Sequence, residues 1–317
     1  MTISVALAAY NGEKYIVEQL ESIRLQSRKV DQVIICDDQS TDRTVAIVRD
    51  YIKLHDLSKT WHIEVNQKNV GYASNFIQAV DRTAGDLIMF CDQDDIWKKN
   101  RVKQMAAAME SHPQIMLLGS EYEPFRTSKN AVKPQKWELR SFKNDDSLER
   151  VAFNAHNIFI GSQGCTMCMR RDFYQRIRPY WYPGWAHDEF VWKMALCLDG
   201  LYLYHNATLK RRLHEGNVTL HKMHQVDERV IFLNKLNQGH KKTLQFAKDY
   251  CLEDRKVELL KKNIIATNYR VELLLDGRIS NVMPLTFQYW DCYHKQRSIP
   301  VELLMAIKYK TGKVQHE

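Results

Sequence analysis

Apolar and polar positions along the first hundred residues follow two periods that alternate. Ile3–Ala9 is a near-continuous apolar run, as expected of a strand buried in a parallel sheet, and Tyr10-Asn11-Gly12-Glu13 after it is a turn signal. Ile16, Leu20 and Ile23 then recur at helical spacing up to Arg24. The plan repeats as a strand over 33–36, a polar turn Asp37-Asp38-Gln39-Ser40-Thr41-Asp42 and a helix face of Val45, Val48 and Ile52. Residues 61–65 alternate as a third strand, 66–71 turn, and Phe76, Ile77 and Val80 mark a short helix. A fourth apolar run, 86–91, ends abruptly in Asp92-Gln93-Asp94-Asp95. Strand, crossover and parallel strand repeat, so the loops after successive strands are expected on one sheet edge, where open α/β sheets bind ligands.

Further along, Val102, Met105 and Met109 predict a helix over 100–111, ended by Pro113 before a strand over 114–118. Residues 120–147 are polar, with Pro124 and Pro134, and read as a loop or flap. Two glycines, Gly161 and Gly164, lead into a strand near Cys165-Thr166-Met167-Cys168, and aromatics crowd 173–192. Phe190, Met194 and Leu198 recur four apart, so Asp188 stands at a helix start. A strand over 201–204 precedes Lys210-Arg211-Arg212-Leu213-His214-Glu215-Gly216-Asn217. Helices are predicted near 226–238, 242–276 and 300–309. The division expected is a domain over 1–220, with halves at about 1–100 and 101–220, and a helical extension over 221–317.

The three acids after the fourth strand can be read two ways. Carboxylates gathered at one strand end repel one another unless a cation neutralises them, and hard oxygen donors suit Mg²⁺ or Mn²⁺. Alternatively, Asp94 or Asp95 caps a helix starting near Ile96. Asp188, too, is either a working carboxylate or an N-cap. A net charge of +8 attracts polyanions: nucleic acid, anionic lipid or a diphosphate. A nucleic-acid binder would leave the acids at 37, 38, 92, 94 and 188 without a role, so no nucleic-acid partner is expected. The seven cysteines, mostly in apolar segments, read as reduced core residues. No stretch approaches the roughly 18 to 20 apolar residues of a membrane span, and the chain enters a strand pattern at once, so a cytoplasmic protein is expected. The basic, aromatic C-terminal helices point to peripheral contact with the inner face of the cell membrane, or to a homodimer, or simply to a helical cap.

Taken together, Ala9-Tyr10-Asn11-Gly12-Glu13, Asp37-Asp38-Gln39-Ser40-Thr41-Asp42, Asn69-Val70-Gly71 with Asn75, Asp92-Gln93-Asp94-Asp95, Gly164-Cys165-Thr166-Met167, His187-Asp188 and Arg212-Leu213-His214-Glu215-Gly216-Asn217 resemble the family 2 glycosyltransferases. The resemblance covers about 3–219. It implies a GT-A fold, a Rossmann-like α/β/α sandwich with a mainly parallel sheet, followed here by a C-terminal helical region. It also implies inverting transfer from a nucleoside diphosphate sugar, dTDP-rhamnose or a UDP-hexose, to a glycan or lipid-linked acceptor. The last three segments look like the subgroup that includes rhamnosyltransferases of bacterial surface polysaccharides. By this resemblance Asp188 is the base, and Asp94, Asp92 and His214 hold Mn²⁺ or Mg²⁺. The donor is contacted by Ala8, Tyr10, Asn11, Asp38, Asn69, Gly71, Asn75, Asp92, Gly164 and Arg212. Where the wider family has Glu-Asp, this chain has His187-Asp188, which leaves His187 without a role carried over.

Overall fold

The first apolar run forms β1 (Ile3–Ala9), buried at six of its seven residues and therefore an interior strand. Parallel neighbours flank it: β2 (Gln32–Asp37) with β3 (Trp61–Val65) beyond on one side, and β4 (Leu87–Asp92) on the other. Between them run α1 (Ile16–Arg24), α2 (Thr44–Leu54) and α3 (Tyr72–Asp81), amphipathic helices whose Ile16, Leu20 and Ile23, or Phe76, Ile77 and Val80, face inward. In register, Ala9 lies beside Asp37, Ala8 beside Asp92, and Asp37 beside Val65. The loops that follow these strands therefore emerge at one edge.

The computed structural model describes residues 1–134, 139–216 and 225–314. Among these, one sheet of nine strands runs in the order β3-β2-β1-β4-β8-β6-β9-β5, with β7 also on β9. After β4 come β5 (Ile96–Trp97), α4 (Arg101–Ser111), β6 (Leu117–Arg126), β7 (Leu148–Arg150), β8 (Cys168–Arg170), α5 (Arg171–Ile177), α6 (His187–Cys197) and β9 (Leu201–Leu213). β8 lies antiparallel between β4 and β6, which carries the Gly164–Thr166 turn before it to the ligand edge; Phe90 N–H donates to the Met167 carbonyl at 3.1 Å. β9 runs parallel to β6 and antiparallel to β5, so its end meets the acidic loop. The architecture is the mixed α/β sheet of the GT-A expectation.

Three expectations change. β6 continues through Arg126 into the segment read as a flap, and Pro124 is tolerated because β6 there has passed β8 and, among the described residues, keeps a strand neighbour only in β9. β9 is one strand through the basic segment, not a short strand over 201–204. Ile96 starts β5, not a helix, because it pairs with Lys210 of β9.

The chain divides into two units, the described parts of Met1–Val151 with Ile160–Val218, and of Ala152–Phe159 with Thr219–Glu317. The second is helical: α7 (Val226–Asp249), α8 (Asp254–Leu275), α9 (Val282–Phe287) and α10 (Ser298–Val314). The break between its long helices falls at Cys251, φ 48°, and not at Gly239-His240-Lys241. Arg270 of α8 and Glu302 of α10 form a buried two-bond ion pair at 2.6 and 3.0 Å inside this unit.

Candidate active site

The loops after β1 and β2 are built by their own polar groups. Asp37 accepts the Ser40 N–H at 2.8 Å and the Ser40 hydroxyl at 2.5 Å, while Asn11, at φ 49°, donates to Ser40 Oγ and accepts the Thr41 N–H, both at 2.8 Å. Asp38 accepts the Val70 and Gly71 N–H groups at 2.8 and 2.9 Å and the Asn66 amide at 2.8 Å. Gly71 starts α3 at φ 82°, which a side chain would strain. Asn69 donates to the Asp38 carbonyl at 3.1 Å, and Asn75 donates to the Cys36 and Ala9 carbonyls at 2.8 and 3.3 Å. Thus Asp38, Asn69, Gly71 and Asn75 come together, but as a mutually bonded frame. Tyr10 stands 48% exposed at its rim, while partly buried Ala8 pairs with Asp92 inside the sheet.

Asp92 ends β4, and Asp94 and Asp95 follow in the turn to β5. Asp95 does not cap a helix: it is buried and its Oδ1 accepts the Arg212 N–H at 2.9 Å, while no nitrogen or oxygen among the described residues bonds its Oδ2. Burial first, then the Asp94 charge, push its carboxyl up to about 7, against the pull of the Arg212 N–H, the Cys165 thiol and Arg211. Asp92 is raised well above the carboxylate range by burial and by the charges of Asp95 and Asp94. Donor atoms of Asp92, Asp95 and Cys165 lie within 4.8 Å of one another. The Cys165 thiol is held protonated by burial and these acids, so carboxylate oxygens are the donors offered. A crowded, repelling oxygen set with an unsatisfied buried lone pair fits a hard divalent cation. Asp94 accepts from His214 Nε2 at 2.7 Å; His214 Nδ1 accepts the Gly216 N–H at 3.1 Å, which fixes the proton on Nε2. Asn217, at the end of that motif, lies outside the described residues.

Strand alternation separates the two arginines before His214. Arg212, expected at a diphosphate, is instead built into the scaffold: it bonds the Asp94 carbonyl at 2.7 Å and Glu18, and its guanidinium stacks on Tyr15 and Phe125. Arg211 projects to the other side over the Tyr122 ring, at 5.4 Å. Burial weakens its charge, but Cys165, Tyr122, Asp95 and Asp92 overcome this and hold its pKa above the ordinary value. In turn it lowers the pKa values of Asp92, Asp95 and Asp188. The sequence singles out neither Arg211 nor Gln93, and it leaves Asp95 open between a cation ligand and a helix cap; a strand period imposed on 208–213 separates Arg211 from Arg212.

Asp188 sits in the first turn of α6, where the helix N-terminus favours an anion. Burial raises its pKa, opposed by the Glu189 N–H at 2.8 Å, the Gly164 N–H and Arg211. His187, one residue earlier, is buried and faces Gly164; its ring stacks on Phe76 with centroids 3.8 Å apart and meets Phe90 edge-on at 5.0 Å. Burial lowers its pKa to about 3, so the imidazole is neutral. Trp185, among the aromatics that crowd 173–192, is core: 2% exposed, stacked on Tyr182 and against Phe190.

The model of Glycosyl transferase family 2 matches residues 4–177, more than half of the 317-residue chain. The chain belongs to this family. Its members are glycosyltransferases, and so is this chain. An uncharacterized glycosyltransferase of Haemophilus influenzae is 27% identical over 220 residues, 68% of this chain and 67% of that protein. Staphylococcus aureus TarS, a poly(ribitol-phosphate) beta-N-acetylglucosaminyltransferase, is 35% identical over 120 residues, 37% of this chain and only 20% of TarS. In structure, the TarS 1–349 complex with UDP-GlcNAc superposes with a TM-score of 0.65 at 18% identity, over 98% of this chain and 92% of that one. The Pyrobaculum calidifontis mannosyltransferase PcManGT, solved with GDP-Man and Mn²⁺, gives 0.56 at 15% identity over 96% and 85%. At such identities these likenesses carry the GT-A fold alone.

Proposed function

We propose that this family 2 enzyme transfers a hexosyl group, rhamnose or another hexose, from a dTDP- or UDP-linked donor to a hydroxyl of a glycan or lipid-linked acceptor, with inversion. The observation that carries the reading is one electrostatic unit at the ligand edge: Asp188, Asp92 and Asp95, all with raised pKa values, facing the Arg211 guanidinium. The acceptor hydroxyl gives its proton to the Asp188 carboxylate as its oxygen attacks the anomeric carbon, and the bond to the diphosphate oxygen breaks with the electron pair leaving on the nucleotide. A raised pKa strengthens Asp188 as a base while its backbone donors keep the anion in place.

Asp92, Asp95 and Asp94 would hold Mg²⁺ or Mn²⁺, which when bound neutralises charge on the departing diphosphate. Arg211 adds a fixed positive charge beside that group, and His214 orients Asp94. The frame of Asp38, Asn69, Gly71 and Asn75 forms the wall for the nucleoside, with Tyr10 as the surface on which a base stacks. That two structural relatives were solved with UDP-GlcNAc and with GDP-Man and Mn²⁺ supports a nucleotide-sugar donor and a metal.

A thermal-shift screen of UDP, dTDP and GDP sugars with and without Mn²⁺ tests the reading. A Mn²⁺-dependent rise in melting temperature with a UDP or dTDP sugar, lost in Asp95→Ala, is expected. The absence of stabilisation by any of them would overturn it.

A further inference from the structure

Cys165 stands among the acids of the site, and the proposed transfer gives its sulfur no task. Among the described residues, Asp92, Asp95 and Cys165 form a group whose metal-capable atoms converge, all within 4.8 Å of one another. Each donor is fixed by its own element. Asp92 ends β4, the Asp95 carboxylate accepts the Arg212 N–H at 2.9 Å, and Cys165 lies in the Gly164–Thr166 turn, where the buried Arg101 guanidinium donates to its carbonyl at 2.8 Å. Asp95 is 2% exposed, and its Oδ2 meets no nitrogen or oxygen among the described residues. The Cys165 thiol leans on that carboxyl as a weak donor. Cys168, three residues on, lies in β8 between Met89 and Leu118 and stays outside the group, so this is no two-cysteine zinc motif.

The softness of the donors decides which ion suits this set. Mg²⁺ and Mn²⁺ take oxygen donors and leave a thiol protonated, whereas Zn²⁺ binds thiolate sulfur and carboxylate oxygen together. An ion with four ligands and bonds of about 2.0–2.3 Å sets its donors about 3.3–3.6 Å apart, so the three groups close on it by at most about 1.5 Å. We propose that Asp92, Asp95 and Cys165 are the protein ligands of a Zn²⁺ site, with Cys165 Sγ the ligand that sets its preference for Zn²⁺ over Mn²⁺. Half-buried Asp92 opens the set to water as a fourth ligand. On binding, the Zn–S bond forms as the S–H bond breaks; the electron pair stays on sulfur and the proton leaves to solvent. The charge of the ion, and that of Arg211 beside the thiol, stabilise the thiolate. Zn²⁺ held here takes Asp92 and Asp95 from the hard cation and so inhibits transfer; that consequence rests on the proposed reaction, and the binding does not.

The test is titration of the full chain with Co²⁺, a spectroscopic stand-in for Zn²⁺, under reducing conditions without competing thiols or nucleotide sugar. A near-ultraviolet thiolate-to-cobalt charge-transfer band is expected, bleached when Zn²⁺ is added. It should vanish in Cys165→Ser and in Cys165→Ala, whose folding is checked by circular dichroism, and persist in Cys251→Ser, which removes an exposed thiol. In calorimetry, Cys165→Ser should bind Zn²⁺ roughly 10²-fold more weakly and Mn²⁺ within about twofold of the wild type. A wild-type chain without the band, a band kept in the Cys165 variants, or Zn²⁺ and Mn²⁺ affinities that fall by the same factor would overturn the proposal. Because no nucleotide sugar is present, failure here and failure of the thermal-shift screen are told apart.

Discussion

Gln93 folds its side-chain amide onto the main chain of Tyr10: Nε2 donates to the Tyr10 carbonyl and Oε1 accepts the Tyr10 N–H, both at 2.8 Å. The side chain thus acts like an added strand residue and joins the loop after β1 to the acidic turn after β4. Gly12 lies beneath it, where a Cβ would fall 2.2 Å from Gln93 Oε1. Gln93→Ala is predicted to lower stability by about 1–2 kcal/mol in urea unfolding, and Gly12→Ala to shift it in the same direction. Both should weaken nucleotide-sugar affinity in calorimetry. Wild-type affinity in both variants would separate these loops from donor binding.

Arg211 and Arg212 are predicted to fail differently. Arg211 holds down the pKa values of Asp92, Asp95 and Asp188, so in Arg211→Gln these groups stay protonated to higher pH. A base must be deprotonated to act, so the acid limb of kcat/KM should move to higher pH, while Arg211→Lys keeps it near its original place. Arg212→Gln, which frees Glu18 and the Asp94 carbonyl, should instead lower the melting temperature. A pH profile unmoved by Arg211→Gln contradicts the electrostatic unit.

His187 gives the fold a sensitivity to acid. Its pKa falls from 6.5 to about 3 on burial, so below 6.5 the unfolded chain binds a proton that the folded chain does not. Its contribution is therefore intact above pH 6.5 and fades as the pH falls toward 3. By pH 5 the loss is about 2 kcal/mol. Replacing the imidazole by an aromatic ring in His187→Phe should flatten the decline between pH 6.5 and 5 in urea unfolding. An unchanged slope would place the acid sensitivity elsewhere.

Fold and site were legible in the sequence to different depths. β1 and β4 are uninterrupted apolar runs because parallel interior strands are covered on both faces, and α1 and α3 repeat cleanly because one face of each packs on them. β6 beyond Ser120 and β9 beyond Tyr204 are polar and hid as loops, since their pairing is held by non-local partners. Gly239 reads as a helix breaker, yet α7 runs through it because packing outweighs its cost, whereas the real break at Cys251 has no glycine or proline to mark it. In the site, the acids were visible but their partners were not. Only the β5–β9 pairing brings Arg212 to Asp95 and His214 to Asp94, across more than a hundred residues.

In the proposed transfer from a nucleotide sugar, Asp188 takes the acceptor proton. Measuring nucleoside diphosphate release and donor affinity side by side in the wild type and in Asp188→Asn tests it most directly. Release in the variant is expected to fall by about 10²–10⁴ while calorimetric affinity for the donor with Mn²⁺ is kept. Release at the wild-type rate in Asp188→Asn would contradict it.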